Sequence, residues 1–375
     1  MSAPSASPAY RNHLSHVIDR WFPTPRVILP LAVGIDISDS SIKWMTLKEV
    51  SNGYIVAAEG NKPLPPGLVV GGILQDVAGL SHVLVEIKSQ FGGATAAHAA
   101  LPEESAYVFS MHVPAGSDRD QILRMIEFEF EGRVPIPPSA AVYDFSVIQK
   151  NDGTEGDEIS VTVFPRDIAA NYAESFALAD IELLSLEVEA RSIGRAVSSR
   201  EADEPITLLV DFGRARTGFA VLKHGVPIFT STVDVGGESI LEAVQHALSI
   251  TRDEAELFCD TEGLLARTEK TSAGTEAIQK GAAMLMSEIE RHYRYWDTRR
   301  NDKGERVTPV GRIILIGGSA NLKGFPEYVA GQIHASVELG NVWRHICDFD
   351  VYIPPIDRHT SLQFATAAGL ALRTA

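Results

Sequence analysis

A chain of 375 residues has room for two lobes, each with its own core, and 45 % apolar with 22 % charged residues is ordinary for a soluble globular protein. Its 33 Lys and Arg against 49 Asp and Glu leave a net charge of −16, which argues against a general nucleic-acid or anionic-membrane surface but allows a local basic pocket. Cys259 and Cys347 have no metal-type spacing and read as reduced thiols of a cytoplasmic protein; no signal-peptide core and no apolar run of the roughly 18–20 residues of a membrane span is seen.

Residues 1–29 read as an appendage. Residues 1–8 are rich in Ser, Ala and Pro, and 10–22 suit a short helix with Leu14, Val17, Ile18, Trp21 and Phe22 on roughly one side. With few basic residues to meet lipid, that helix is expected to strap onto the protein's own core. The segment 33–47, VGIDISDSSIKWMTL, reads as a hairpin: an apolar entry strand ending in Asp36, a loop of small polar residues, and a return strand. A third strand near 54–59, a Pro/Gly-rich loop at 62–72, a helix over 77–91 with Leu80, Leu84, Ile87 and Phe91 on one face, and a core strand at 97–101 follow. The next block reads β-α-β-β: strand 107–113, helix 118–131 with Ile122, Met125, Ile126 and Phe130 inward, a break at Pro135, Pro137 and Pro138, then strands 142–149 and 159–164. It looks like a subdomain inserted into the first lobe, with an edge beside the strand at 97–101. Helix 167–179, strand 182–187 and helix 188–198 lead to a charged linker at 199–205.

The second lobe opens on 208–222, LLVDFGRARTGFAVL, which repeats the first hairpin. Leu208, Leu209 and Val210 are uniformly apolar, as a buried central strand requires. Asp211 ends the strand, Gly213 permits a tight turn, and a tip of this kind suits an anion, with Asp211 placed to hold a water of a magnesium ion bound to it. Two copies of one unusual hairpin suggest two similar half-domains facing each other. A strand at 226–233 ends at Gly236-Gly237, and a helix buries Ile240, Val244 and Leu248. After a polar loop at 260–274 comes the longest helix, 276–296; then strand 312–316 runs into Gly317-Gly318-Ser319, a glycine turn opening a helix. One helix, 361–373, closes the chain.

Three strand-to-small-residue loops, at 34–43, 211–217 and 317–325, occur in order on a duplicated frame. This set resembles the actin-like ATPase superfamily, an α/β, ribonuclease H-like two-lobed fold. The segments ALPEESAYVFSMHVP (100–114), IPP to YDF (136–145), DVGGESILEAV (234–244) and ATAAGLALR (365–373) resemble its PilM branch, related to the division protein FtsA. The likeness runs from Leu31 to Arg373. It implies first-lobe core at 30–104 and 166–200, an FtsA/PilM-type insert at 105–165, second-lobe core at 205–237 and 306–375, and a second-lobe subdomain at 238–305. It also implies a cleft for ATP or ADP with Mg2+. Asp36, Ser38, Asp39, Ser40 and Lys43 match the first phosphate hairpin, Asp211, Gly213 and Thr217 the second. Gly236 and Gly237 match the loop beside the nucleotide, Glu256 the acid of an Ala-Glu-x-x-Lys segment at the nucleotide, and Gly317, Gly318 and Ser319 the adenosine turn. Asp36 and Asp211 are the magnesium-facing acids, acting through water. The implied partner is the cytoplasmic N-terminal peptide of a PilN-like inner-membrane protein, which would hold this chain at the membrane periphery within the pilus platform.

The departures are specific. Ser38 replaces a common Gly; no lysine follows Glu256, where Leu257, Phe258 and Cys259 stand; no acid lies near Ala140; and no residue can be named as the base that orients an attacking water. At most a weak ATPase is expected. A sugar-type kinase would need a substrate base and polar specificity groups between the lobes, for which no motif stands out. An FtsA-like filament scaffold would carry a basic amphipathic helix at its end, whereas this chain ends Arg373-Thr374-Ala375.

Overall fold

The computed structural model describes residues 30–151, 156–199, 204–265, 272–300 and 304–373; the helix expected at 10–22 lies outside them. The first lobe begins with an antiparallel meander, β1 (Ala32–Ile37), β2 (Ser41–Val50) and β3 (Gly53–Pro63). A small hairpin, β4 (Val69–Val70) and β5 (Ile73–Leu74), leads to α1 (Val77–Lys88), capped by Asp76 accepting the Gly79 N–H. β6 (Ala96–Leu101) runs parallel to β1. Next come β7 (Tyr107–Val113), α2 (Arg119–Arg133), β8 (Ala141–Gln149) and β9 (Asp157–Pro165), an antiparallel sheet of order β7-β9-β8. Ile122, Ile126 and Phe130 of α2 pack with Ile159, Val161 and Val163 in a core of its own. α3 (Arg166–Leu178), β10 (Glu182–Val188) and α4 (Glu189–Val197) complete the lobe.

The second lobe repeats the meander as β11 (Ile206–Phe212), β12 (Thr217–Lys223) and β13 (Val226–Val233). Three helices follow, α5 (Gly237–Leu248), α6 (Arg252–Thr261) and the long α7 (Ser272–Thr298). β14 (Val310–Ile316), α8 (Phe325–Ala330), β15 (Ser336–Leu339), α9 (Arg358–Ser361) and α10 (Ala365–Ala371) end the fold. The two large sheets have the same plan, β3-β2-β1-β6-β10 and β13-β12-β11-β14-β15, with three antiparallel strands followed by two parallel ones. The duplicated hairpin of the sequence is therefore a duplicated sheet. Its inner strands read as unbroken apolar runs because both faces are covered: every residue of β6 is buried, as are Leu208, Leu209 and Val210 of β11.

Helices α4 and α10 join the lobes. A Cβ on Gly369 of α10 would overlap the Ser192 carbonyl of α4, and one on Gly34 of β1 would stand 2.6 Å from the Ala371 nitrogen and 2.8 Å from the Leu370 Cβ. Only bare glycine backbone permits these approaches. At the same junction Arg195 makes a two-pronged pair with Glu187 at 2.6 and 2.8 Å, and Arg373 adds a bond to Glu187 at 2.5 Å.

Two expectations change. The closing helix is not continuous: Leu362–Phe364 form a 3-10 turn between α9 and α10, because the Leu362 carbonyl leaves the helix to accept the Gly317 N–H at 3.2 Å. And the edge of the inserted block does not pair with β6, which is bonded on both sides, to β1 and β10. That sheet leans on the second lobe instead. Ser160 Oγ of β9 donates to Pro227 O at 2.5 Å, Lys223 pairs with Glu158 at 2.5 Å, and edge strand β7 lies against β13, which leaves β8 as the outer strand away from the second lobe.

Candidate functional site

β1 and β11 hold equivalent places in their sheets, so the acids that end them, Asp36 and Asp211, arrive at the same end of each lobe. Both line one cavity of about 310 Å³ between the lobes. Lys43 faces Asp36 across the β1–β2 ladder, its Nζ 3.7 Å from Oδ2. Burial raises the Asp36 carboxyl above its usual range in spite of Lys43. Burial, with the charge of Asp36, pushes Asp211 up to about 7. Buried Glu103 accepts the Ala190 N–H at 2.6 Å yet is pushed up to about 8 by its burial, with Asp211 and Glu104 adding to the rise. Glu189, the first residue of α4, is driven well above the carboxylate range by burial and then by Asp36, Glu103, Glu104 and Asp211. Acids forced this close hold protons unless a cation neutralises them. The cavity is built for a positive charge.

Glycines bind three loops into the floor of the cleft. Gly317 has φ 86°, and a Cβ there would overlap the Phe212 carbonyl and stand 2.5 Å from the Asp211 Oδ1. Side chains at Gly236 and Gly237 would strike the Arg214–Ala215 backbone and the Ser319 hydroxyl. In the space so gained, the Gly213 carbonyl accepts the Gly237 N–H at 3.0 Å and the Ser319 Oγ at 3.1 Å. Beyond Gly318-Ser319 a second chamber of about 570 Å³ opens, with Ile240, Leu241 and Leu322 in its wall. Arg214, Glu238, Arg252, Glu256 and Asp260 bring charge to its wall: Arg214 Nε donates to Glu238 at 2.7 Å, Arg252 reaches Glu238 at 2.7 Å, and its Nε reaches Glu256 at 3.1 Å. Arg214, Gly318, Ser319 and Gln363 belong to the walls of both chambers. The two chambers thus adjoin across this wall, the first acidic and the second partly apolar.

Of the residues expected from sequence, Asp36, Ser38, Asp39, Ser40, Lys43, Asp211, Gly213, Gly317, Gly318 and Ser319 line the first chamber. Gly237 and Glu256 join Gly318 and Ser319 in the second. Asp39 is already engaged: it accepts the Gly71 and Gly72 N–H groups at 3.1 and 2.9 Å and pairs with Arg216, which also pairs with Glu104. The tips of the two hairpins are thus tied to each other across the cleft. Thr217 and Gly236 are in neither wall; Thr217 is fully buried with its hydroxyl on the Val235 carbonyl at 2.6 Å, and Gly236 serves packing. Sequence reasoning passed over Glu103, Glu189, Arg216 and Arg252. Glu189 carried a usable signal, an acid directly after strand β10, much as Asp36 and Asp211 stand near the ends of theirs. Arg252 supplies a guanidinium one turn before Glu256, on the helix where the expected lysine is missing.

Two like sheets joined by crossing helices, with paired acid-tipped hairpins over a glycine turn, make this an actin-like ATPase fold. The chain belongs to the type IV pilus assembly protein PilM family, whose model matches residues 34–375. Among solved structures it is similar to a PilM–PilN type IV pilus biogenesis complex, with 22 % identity, a TM-score of 0.75, and coverage of 93 % of this chain and 99 % of that one. It is also similar to the ethanolamine utilization protein EutJ from Carboxydothermus hydrogenoformans, with 17 % identity, a TM-score of 0.51 and 96 % of each chain covered. A more distant likeness is MreB5 of Spiroplasma citri, solved with AMPPNP, at 11 % identity and a TM-score of 0.49, covering 91 % of this chain and 94 % of that one.

Proposed function

We propose that this protein is the nucleotide-binding adaptor of a type IV pilus inner-membrane assembly platform, holding ATP or ADP with Mg2+ between its lobes and binding the cytoplasmic N-terminal tail of a PilN-like membrane protein. The observation that carries the nucleotide reading is the convergence of Asp36 and Asp211, from equivalent hairpins, on one acidic cavity that also contains Lys43. Lys43 and the hairpin loops suit phosphates, and Asp36 and Asp211 suit an ion held through water. Among the described residues no three His, Cys, Asp or Glu side chains form a metal cage, so Mg2+ would depend on phosphate and water for its inner ligands. The second chamber, with Glu256 and Arg252 at its rim, suits the adenosine.

No described residue of the cleft can be named as the base that orients an attacking water. Nucleotide therefore acts as a ligand that sets the position of the lobes. The expected result is a Mg-ATP-dependent rise in melting temperature, equivalent to about 2.7 kcal/mol at a hundredfold excess over Kd. Asp211→Ala should remove most of it, and turnover should stay below about 1 s⁻¹. Absence of any shift at millimolar Mg-ATP would overturn the nucleotide reading, and turnover within the ordinary enzyme range would revive a catalytic one.

Among the described residues no helix is long and apolar enough to cross a membrane, and the proposed place at the inner membrane comes through the partner. Outer strand β8 and the 86 % exposed Phe128 on α2 offer an extended tail both backbone pairing and an apolar contact. The net charge of −16 favours a tail rich in Lys and Arg. A synthetic tail peptide should bind the full chain, and changing its basic residues to Gln should weaken binding about tenfold in low salt. Equal binding of both peptides would remove the electrostatic part of this reading.

A further inference from the structure

On the side of the lobe junction formed by the ends of α4 and α10, a separate cavity of about 320 Å³ is lined by Arg191, Arg195, Ser198, Arg373 and the turn His224–Gly225. It draws on both lobes, since α4 follows the first sheet and the turn joins β12 to β13. Its charges do not balance. Arg195 and Arg373 share the single carboxylate of Glu187. Arg191 is half-buried and, among the described residues, pairs with no carboxylate; its Nη1 donates to the Gly225 carbonyl at 3.2 Å. Among the described residues, three guanidiniums against one carboxylate leave a local charge of +2 within a chain of net charge −16. Burial and the neighbouring charges of Arg195 and Arg373 pull Arg191 below the usual arginine value. Ser198, 3 % exposed, adds a hydroxyl with no hydrogen-bond partner among the described residues. A protein seldom keeps a sheltered cation and a buried hydroxyl unsatisfied at one place without a ligand to satisfy both.

We propose that Arg191, Arg195, Arg373 and Ser198, with the His224–Gly225 turn, form a second anion site that binds a phosphate monoester or free phosphate at the junction of the lobes. The charge selects the ligand class. A phosphate monoester carries about −1.5 to −2 at neutral pH and several acceptor oxygens, matching the +2 better than one carboxylate, and planar guanidiniums suit its oxygens. The cavity is of the size that accepts a small organic body beside the phosphate. Because Arg191 stands on α4 and Gly225 on the second-lobe hairpin, a bound anion would hold the two together. The inference does not rest on the nucleotide reading of the main cleft.

The test uses the full chain with Mg-ADP in excess, so that the main cleft is occupied or, if it binds nothing, is unaffected. Inorganic phosphate and glycerol 2-phosphate are titrated by calorimetry, with acetate as the carboxylate control. Both phosphates should bind and acetate should not. Arg191→Gln should weaken phosphate at least tenfold, whereas Asp211→Asn should leave phosphate binding unchanged. Binding of inorganic phosphate alone would identify free phosphate as the ligand; binding of both supports a monoester. In anion-poor buffer Arg191→Gln should melt no lower than the parent chain, because it removes an unpaired cation. Absence of phosphate binding at millimolar concentration, or equal binding by parent and Arg191→Gln, overturns the site. A fall in melting temperature for Arg191→Gln with no change in phosphate affinity would make Arg191 a structural residue only.

Discussion

Gly369→Ala should destabilise the protein by about 3 kcal/mol or more, one of the largest losses expected from adding a single methyl group. The added Cβ would overlap the Ser192 carbonyl oxygen and lie 3.1 Å from the Ser192 Cα, and these are backbone atoms of α4 that no rotamer change can clear. To admit the methyl, α10 must lift from α4. Lifting it disturbs Gly34 of β1, which packs on the same helix, and the Leu362 carbonyl that holds the Gly317 turn. The substitution should therefore lower the urea midpoint and also blunt the response to Mg-ATP. Gly132→Ala in α2 is the control. Nothing lies within 4 Å of a Cβ there, so it should gain about 0.5–1 kcal/mol from helix propensity. Equal midpoints for the two variants would show that α4 and α10 are not packed this closely.

What could be read from sequence was local. Strand-ending acids at Asp36 and Asp211, the glycine turn at Gly317 and the apolar periodicity of α1, α2 and α7 lie within short windows, and the structure places these elements as expected. What could not be read involves partners distant in the chain. Arg216 was part of a polar hairpin tip; its pairs with Asp39 and Glu104 come from another lobe, and no window contains them. Asp39 looked like a free loop acid for the same reason, although the amides of Gly71 and Gly72 already engage it. The break in the closing helix follows from one carbonyl diverted to Gly317, a preference that helix propensity does not encode. The inserted block's edge was expected beside β6, but β6 pairs there with β10, a strand that comes after the whole block in the chain. Glu189 was legible in principle. Its position after LLSLEV repeats the strand-end pattern, but the helix that follows made it look like an ordinary N-terminal acid.

Without nucleotide or Mg2+, the protein should lose stability as pH rises from 6.5 to 8.5. Asp211 stands at about 7 and Glu103 at about 8 in the folded state, against ordinary values of 3.8 and 4.5. Between the ordinary and the folded value, the native state binds more protons than the unfolded chain, so stability falls with rising pH until the folded value is passed. One such group costs at most about 1.4 kcal/mol per pH unit over that interval. Opposing groups act lower on the scale. His98, lowered to about 4 by burial with help from Arg373, favours the folded state above its ordinary 6.5 and withdraws that support as pH falls. Glu238, lowered to about 2 chiefly by its bond to Arg252, loses its contribution as pH falls below 4.5. Above 6.5 the acids of the cleft are left to decide the slope. Asp211→Asn should flatten it, because the amide has no proton to lose and removes one charge from Glu103 and Glu189. Mg-ATP should flatten it too, since a cation among these carboxylates favours their charged forms, and the nucleotide-induced rise in melting temperature should be larger at pH 8.5 than at pH 6.5. A parent chain as stable at pH 8.5 as at 6.5, with Asp211→Asn showing the same profile, would mean that the acids are already neutralised in the empty cleft, and the electrostatic basis for cation binding there would be lost.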